Sequence, residues 1–255
     1  MHYRVDVRMS LRSLVRSEAY GKLGRGFKAY QWILQTNEEH SPYPLEAKVE
    51  INRRCQLRCI MCYSANNPAF PMYDDMRMRE FVHILDELKG IRVLCPHGYG
   101  EPLLHSGFLE MMREVHRRGI KIHLVTNGLL LTLQIAESFL KECDPYGITF
   151  SVDAGEAESY ESIRIGASFS TLLENVRTTV EARNRLNPST KIIFHCVIGS
   201  HNINQIEPLS RLAWQLGVDL VEFDDITLYN VGPADEDHAI RTTGLIGLVN
   251  QRSEE

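Results

Sequence analysis

The chain has 255 residues, 44% of them hydrophobic, which is enough for one large α/β domain with a full core. Its net charge of −5 gives no general attraction to nucleic acid, so no nucleic-acid partner is expected. There is no run of eighteen apolar residues for a membrane span and no apolar signal-peptide core after Met1.

Charge is uneven along the chain. Residues 1–36 hold seven Lys and Arg against Asp6 and Glu18, a net +5, which leaves −10 for the rest. Arg4, Arg8, Arg12 and Arg16 recur at helical spacing. A solvated helix face on an acidic body explains this, and so does a docking site for an acidic partner. Residues 9–37 read as one or two helices interrupted by Gly21, Gly24 and Gly26, followed by the stiff linker Ser41-Pro42-Tyr43-Pro44.

Strands and helices then alternate. The first strand is expected near 46–52, and a helix over 76–89 carries Met78, Phe81, Ile84, Leu85 and Leu88 on one side. A second strand near 91–95 precedes a helix at 107–118 closed by Gly119. A third strand at 120–125 is followed by a helix at 132–142. A fourth strand at 147–152 precedes a helix at 169–186. A fifth strand at 191–198 leads to a helix at 205–216, and a sixth strand covers 219–227. A short helix near 243–252 completes the chain. Regular alternation of this kind predicts a parallel sheet. The expected units are an N-terminal helical extension (1–44), the sheet domain (45–230) and a C-terminal tail (231–255).

Cys55, Cys59 and Cys62 form a C-x3-C-x2-C loop directly after the first strand. Three thiolates on one short loop suit an iron–sulfur cluster with one iron left open, because ordinary clusters take four cysteines. Structural zinc needs a fourth Cys or His at a recognisable spacing, and neither Cys95 nor His83 supplies one, so zinc or a chance clustering of cysteines is the lesser alternative. Six cysteines, three of them clustered, are not a disulfide framework in a chain this long. An open iron needs a reducing compartment, so the expected location is the cytoplasm.

Other polar residues stand at strand ends. Gly98-Tyr99-Gly100-Glu101-Pro102 follows the second strand, Thr126-Asn127-Gly128 the third and Asn202 the fifth, while Ser151-Val152-Asp153 ends the fourth. Ser151 and Asp153 share one face, as do Glu50 and Asn52, and Glu222 and Asp224. A buried Glu50 needs a partner. Only one of the neighbours His195 and Cys196 can point inward. Cys196 is either a buried small hydrophobe or a hydrogen-atom donor.

In this order the motifs resemble those of the radical S-adenosylmethionine (radical SAM) superfamily, from about residue 45 to about 230. The resemblance implies a partial (β/α)6 barrel, TIM-like, of parallel strands. It also implies a 4Fe–4S cluster on Cys55, Cys59 and Cys62, with S-adenosylmethionine on the open iron. Tyr99, Gly100 and Glu101 would then contact its methionine amino group. Ser151 and Asp153 would bind ribose or carboxylate, Asn127 would orient the ligand, and Ile198 would pack on adenine. Arg53, Arg54 and Arg58 either favour the reduced cluster or are solvated loop residues. The implied activity is reductive cleavage of S-adenosylmethionine to a 5′-deoxyadenosyl radical that removes a substrate hydrogen atom, with flavodoxin or ferredoxin as electron donor.

The closest flavour is the branch that modifies peptides and sugars, often with a cysteine-rich C-terminal extension. Cys95, Cys143 and Cys196 are isolated here, so a single cluster is expected. That favours epimerisation, rearrangement or elimination of a small metabolite or sugar-like compound. A ribosomally synthesised peptide is the alternative substrate. A non-catalytic iron–sulfur protein is the alternative of another class.

Overall fold

The computed structural model describes residues 5–6, 45–71 and 75–225. The helices expected over 9–37 and 243–252 lie outside the described residues. Nine strands are described: β1 (Val5–Asp6), β2 (Glu46–Val49), β3 (Arg58–Cys59), β4 (Val93–Cys95), β5 (Lys121–Thr126), β6 (Gly147–Ser151), β7 (Arg164–Ile165), β8 (Lys191–Ile198) and β9 (Leu220–Asp225). Seven helices accompany them: α1 (Tyr63–Asn66), α2 (Met78–Glu87), α3 (Phe108–Arg117), α4 (Leu133–Cys143), α5 (Ala157–Ile163), α6 (Phe169–Leu186) and α7 (Ile206–Leu216).

The main sheet runs β1-β2-β4-β5-β6-β8-β9. Its last six strands are parallel, and β1 is added antiparallel to β2. Among the described residues β9 does not pair back to β1 or β2, so the sheet is a partial, open barrel, as the family resemblance implies. Each strand buries one face under the helices. Ala47, Val49, Leu94, Ile122, Leu124, Ile148, Phe150, Ile192 and Phe194 are all 5% exposed or less and belong to one core. The helices answer with matched stripes. In α3 they are Phe108, Met111, Met112 and Val115, at the i, i+3, i+4, i+7 spacing of one helical face.

Helix ends follow local chemistry. Thr132 and Ser168 accept hydrogen bonds from the amides of Ile135 and Thr171 and so cap α4 and α6. Gly217, at φ +72°, ends α7 in the left-handed turn that lacks a Cβ penalty.

Besides the short elements β1 and α1, two local features near the site are not legible in the periodicity. One is the short helix α5 between β6 and α6. The other is a separate two-stranded ribbon, in which β3 of the cysteine loop pairs antiparallel with β7, Cys59 standing opposite Arg164. Two-residue strands carry too little pattern to announce themselves. No helix among the described residues is long and apolar enough to cross a membrane.

Candidate functional site

The loop after β2 is fixed before it reaches the cysteines. Asn52 donates from Nδ2 to the Glu101 carbonyl (3.0 Å), and its Oδ1 accepts from the Arg54 amide (2.9 Å). Arg53 is buried and pairs through Nε with Glu50 Oε2 at 2.5 Å. Its guanidinium also lies 4.9 Å from the centroid of the Phe70 ring. The other Glu50 oxygen accepts from the Tyr99 amide at 2.7 Å. Glu50 is thus a buried carboxylate with two partners, the requirement stated from sequence.

Gly98 and Gly100 let the two loops touch. A Cβ on Gly98 would lie 2.4 Å from Glu50 Oε1, and one on Gly100 would lie 2.4 Å from the Asn52 carbonyl oxygen. The Glu101 amide completes the junction by donating to the Arg54 carbonyl at 2.8 Å. Tyr99 stacks edgewise on Phe70 (4.7 Å) and lies 6.2 Å from Tyr63 at the start of α1.

The cysteine loop itself turns tightly. The Cys62 amide donates to the Cys59 carbonyl, and Asn66 Nδ2 reaches the carbonyls of Cys59, Ile60 and Cys62 at 3.2, 2.8 and 2.8 Å. Each sulfur has a hydrogen-bonding group turned to it. Cys55 Sγ receives the Leu57 amide (3.5 Å) and Asn127 Nδ2 (3.9 Å). Cys59 Sγ receives Arg164 Nη1 (3.9 Å), and Cys62 Sγ lies 3.2 Å from Ser64 Oγ. Burial pushes the Cys55 thiol up and the Cys59 thiol up to about 11, with Arg164 pulling Cys59 back toward the thiolate. Among the described residues no three His, Cys, Asp or Glu side chains converge as on a single metal ion. A cluster asks for something else: one thiolate per iron, with donors around the sulfurs. The donor set present here fits that.

Beyond the loop, most motif side chains grip one another. The Glu101 carboxylate is 3% exposed and accepts from Thr126 Oγ1 (2.7 Å), the Asn127 amide (2.8 Å) and the Leu103 amide (3.2 Å). It locks the turn after β4 to the turn after β5. Asn127 Oδ1 accepts from Gln56 Nε2 at 3.1 Å, so this turn also reaches the cysteine loop. Asp153 is wholly buried. Its Oδ1 accepts from the Val197 amide (2.9 Å), and its Oδ2 lies 2.7 Å from Arg164 Nη2. Asn202 staples the same corner, donating to the carbonyls of Asp153 (3.0 Å) and Val197 (2.9 Å) and accepting from the Gly199 amide (2.8 Å). Ser151 is half-buried on the inner face of β6.

Two predicted positions stand on the helix side of the sheet. Cys196 is fully buried in the core cluster, on the face of β8 that carries Phe194, and it receives Asn202 Nδ2 at 3.7 Å. Burial pushes its thiol far up. This placement favours the small-hydrophobe role of Cys196 over the hydrogen donor. The Ile198 side chain also belongs to that core. His195 is therefore the inward neighbour, bonded through Nε2 to Asp224 Oδ2 at 3.0 Å.

Arg164 was not singled out from sequence. It is 7% exposed and links Cys59 to Asp153, while its Nε and the nearby Tyr160 hydroxyl are buried without a hydrogen-bond partner. A lone cation between Ile163 and Ile165 is its only mark in the sequence. Its relation to Cys59 exists only through the β3–β7 pairing.

The family profile of the radical SAM superfamily matches residues 49–213. The chain belongs to that superfamily, whose members use S-adenosylmethionine and an iron–sulfur cluster. Among its relatives is the tungsten-containing aldehyde ferredoxin oxidoreductase cofactor-modifying protein of Pyrococcus furiosus, 31% identical over 182 residues, covering 67% of this chain and 48% of that protein. The AdoMet-dependent heme synthase of Methanosarcina barkeri is 27% identical over 190 residues, covering 73% of this chain and 51% of that protein. The chain thus spans about half the length of the curated relatives it matches. In fold it is similar to Streptococcus suis SuiB, solved with the precursor peptide SuiA, at a TM-score of 0.63 and 17% identity, covering 82% of this chain and 45% of SuiB.

Proposed function

We propose that Cys55, Cys59 and Cys62 hold a 4Fe–4S cluster, and that the chain uses it with S-adenosylmethionine to start radical chemistry on a small-molecule substrate. When bound, these groups supply one-electron cleavage of the sulfonium carbon–sulfur bond, giving methionine and a 5′-deoxyadenosyl radical that removes a hydrogen atom from the substrate. The observation that carries the reading is the cysteine loop, with a hydrogen-bonding group at every sulfur, pinned to the Gly98–Glu101 turn.

The chain's own residues position and shield. Gly100, half-buried Tyr99 and Ser151 leave backbone and hydroxyl groups at the mouth for S-adenosylmethionine. Glu101 acts through Asn127, whose amide it holds, rather than through a free carboxylate. Asp153 acts through Arg164, which it holds beside the Cys59 sulfur. Leu57 and the aromatic set Tyr63, Phe70 and Tyr99 keep water from the loop. An electron donor such as flavodoxin or ferredoxin would approach the exposed side of the loop at Arg58 and Ile60.

The substrate reading follows the polar inner face of the sheet and the relatives named for cofactor modification and heme synthesis. Epimerisation, rearrangement or elimination of a metabolite is the proposed outcome. Likeness in fold to SuiB, solved with a precursor peptide, supports a peptide as the second reading. The test is anaerobic reconstitution with iron, sulfide, S-adenosylmethionine and dithionite. About four irons per chain and 5′-deoxyadenosine are expected, both lost when the three cysteines become Ala. Iron uptake without nucleoside cleavage would instead mark a non-catalytic iron–sulfur protein.

A further inference from the structure

The inner face of the open sheet carries Lys48 of β2, His97 just after β4, His123 of β5 and His195 of β8. Strand alternation sets them opposite the core residues Ala47, Leu124 and Phe194. His123 Nε2 is 2.8 Å from Thr149 Oγ1, and His195 is held by Asp224. Among the described residues, the Lys48 ammonium and the His97 ring have neither hydrogen bond nor ion pair. The half-buried His97 ring lacks the partner that buried polar groups normally find, and the Lys48 ammonium stands exposed on the same face of the neighbouring strand.

We infer that Lys48 and His97 bind an acidic group of the substrate, a carboxylate or a phosphate, on the inner face of the sheet. The inference rests on the radical SAM reading above and names the substrate class of the same barrel. The sign of the charges decides for an anion. Burial first, then the Lys48 charge and the His195 and His123 rings, hold the His97 ring neutral, down to about 4, so the standing charge a ligand meets beside it is the Lys48 ammonium. A cationic ligand would be repelled by the Lys48 ammonium, which has no ion-pair partner among the described residues. Among the described residues no three His, Cys, Asp or Glu side chains are grouped as for a metal ion, and Lys48 is a cation itself. An oxyanion would accept from the neutral imidazole N–H and from the ammonium.

Two carboxylates of this wall are engaged by partners, while Glu46 shares the strand of Lys48 and Asp6 lies across from it. Glu50 is held by Arg53 and the Tyr99 amide, and Asp224 by His195. Glu222 lies on β9, at the far edge of the sheet, and has a partner of its own. Glu46, two residues before Lys48, acts on Cys95. Asp6 of β1 stands opposite Lys48 in register.

The test is histidine-selective NMR on the cluster-loaded protein, titrated separately with inorganic phosphate and with acetate. A saturable shift of the His97 ring, with its titration midpoint moved upward, is expected from at least one anion. Response to phosphate alone marks a phosphate ester, and response to acetate alone marks a carboxylic acid. Lys48→Met should weaken the apparent Kd at least roughly tenfold, the loss of a hydrogen bond to a charged group, while Lys48→Arg should keep it within about threefold. If Lys48→Met does not fold, His97→Gln followed at His123 gives the same comparison. No shift with either anion, or undiminished binding without the Lys48 charge, overturns the inference. Formation of 5′-deoxyadenosine by the same unmodified sample tests the radical reading separately. A protein that cleaves S-adenosylmethionine but binds neither anion fails here alone.

Discussion

Arg164 answers to two partners, and its removal separates them. Without the guanidinium, Asp153 remains a buried carboxylate with one amide donor, and Cys59 loses the cation facing its sulfur. Arg164→Met should cost about 3 kcal/mol in urea unfolding, as expected when one member of a buried pair is removed. Asp153→Asn added to it should return part of that loss, because no bare charge then remains buried. Equal stability of the single and double variants would refute the pairing. At Gly100 the obstacle is main chain, the Asn52 carbonyl, so Gly100→Ala should destabilise by roughly 1–3 kcal/mol and lower iron retention on gel filtration.

His97 gives a pH effect of definite sign. Its folded-state pKa is depressed to about 4, below the ordinary histidine value, so between about 6.5 and 4 the unfolded chain binds the proton and the folded one does not. Stability should therefore fall as pH drops through that window. His97→Gln should flatten this part of the profile, measured by urea midpoints at successive pH values. An unchanged slope would show that other groups govern it.

At the scale of elements, the β3–β7 ribbon is the device that holds the cysteine loop against the body of the sheet. The Ile60 amide continues it by donating to the Ile163 carbonyl at 2.9 Å. Asn66 closes the other end with three carbonyl contacts at the last turn of α1. Asn66→Ala should cost only about 1 kcal/mol globally, since these bonds are partly open to water. It should still speed loss of iron to a chelator, because the turn between Cys59 and Cys62 loses its brace. Chelation kinetics that match the parent would assign Asn66 to the surface alone. The longer elements were readable because their apolar periods are sustained. α6 and β8 occupy the ranges that the pattern marks, 169–186 and 191–198. The ribbon and α5 were not, because two to seven residues hold less than a full amphipathic repeat.

For the whole molecule, a ligand that binds only the folded state raises its stability. S-adenosylmethionine at a hundredfold excess over its Kd should add about 2.7 kcal/mol to the cluster-loaded protein. The corresponding upward shift in Tm should vanish in the triple Cys→Ala variant if the cluster supplies an anchoring contact. A shift of the same size in that variant would mean that the nucleoside binds without the cysteine loop.

The sequence by itself determined the alternation of strands and helices, the parallel sheet that this alternation builds, and the cysteine spacing at the end of the first strand. These rest on local periodicity and on neighbours within a few residues. It also determined that only one of His195 and Cys196 faces inward, since the strand period is two. Tertiary structure alone decided which one. Helix α6 covers one face of the sheet through Leu172 and Val176, and Cys196 falls on that face with Phe194. It likewise decided that Glu101 and Asp153 are buried braces with named partners, and that Arg164 stands beside Cys59, 105 positions away in the chain. Contacts of that kind join separate turns at the mouth of the barrel. They depend on strand register and burial, which no local pattern encodes.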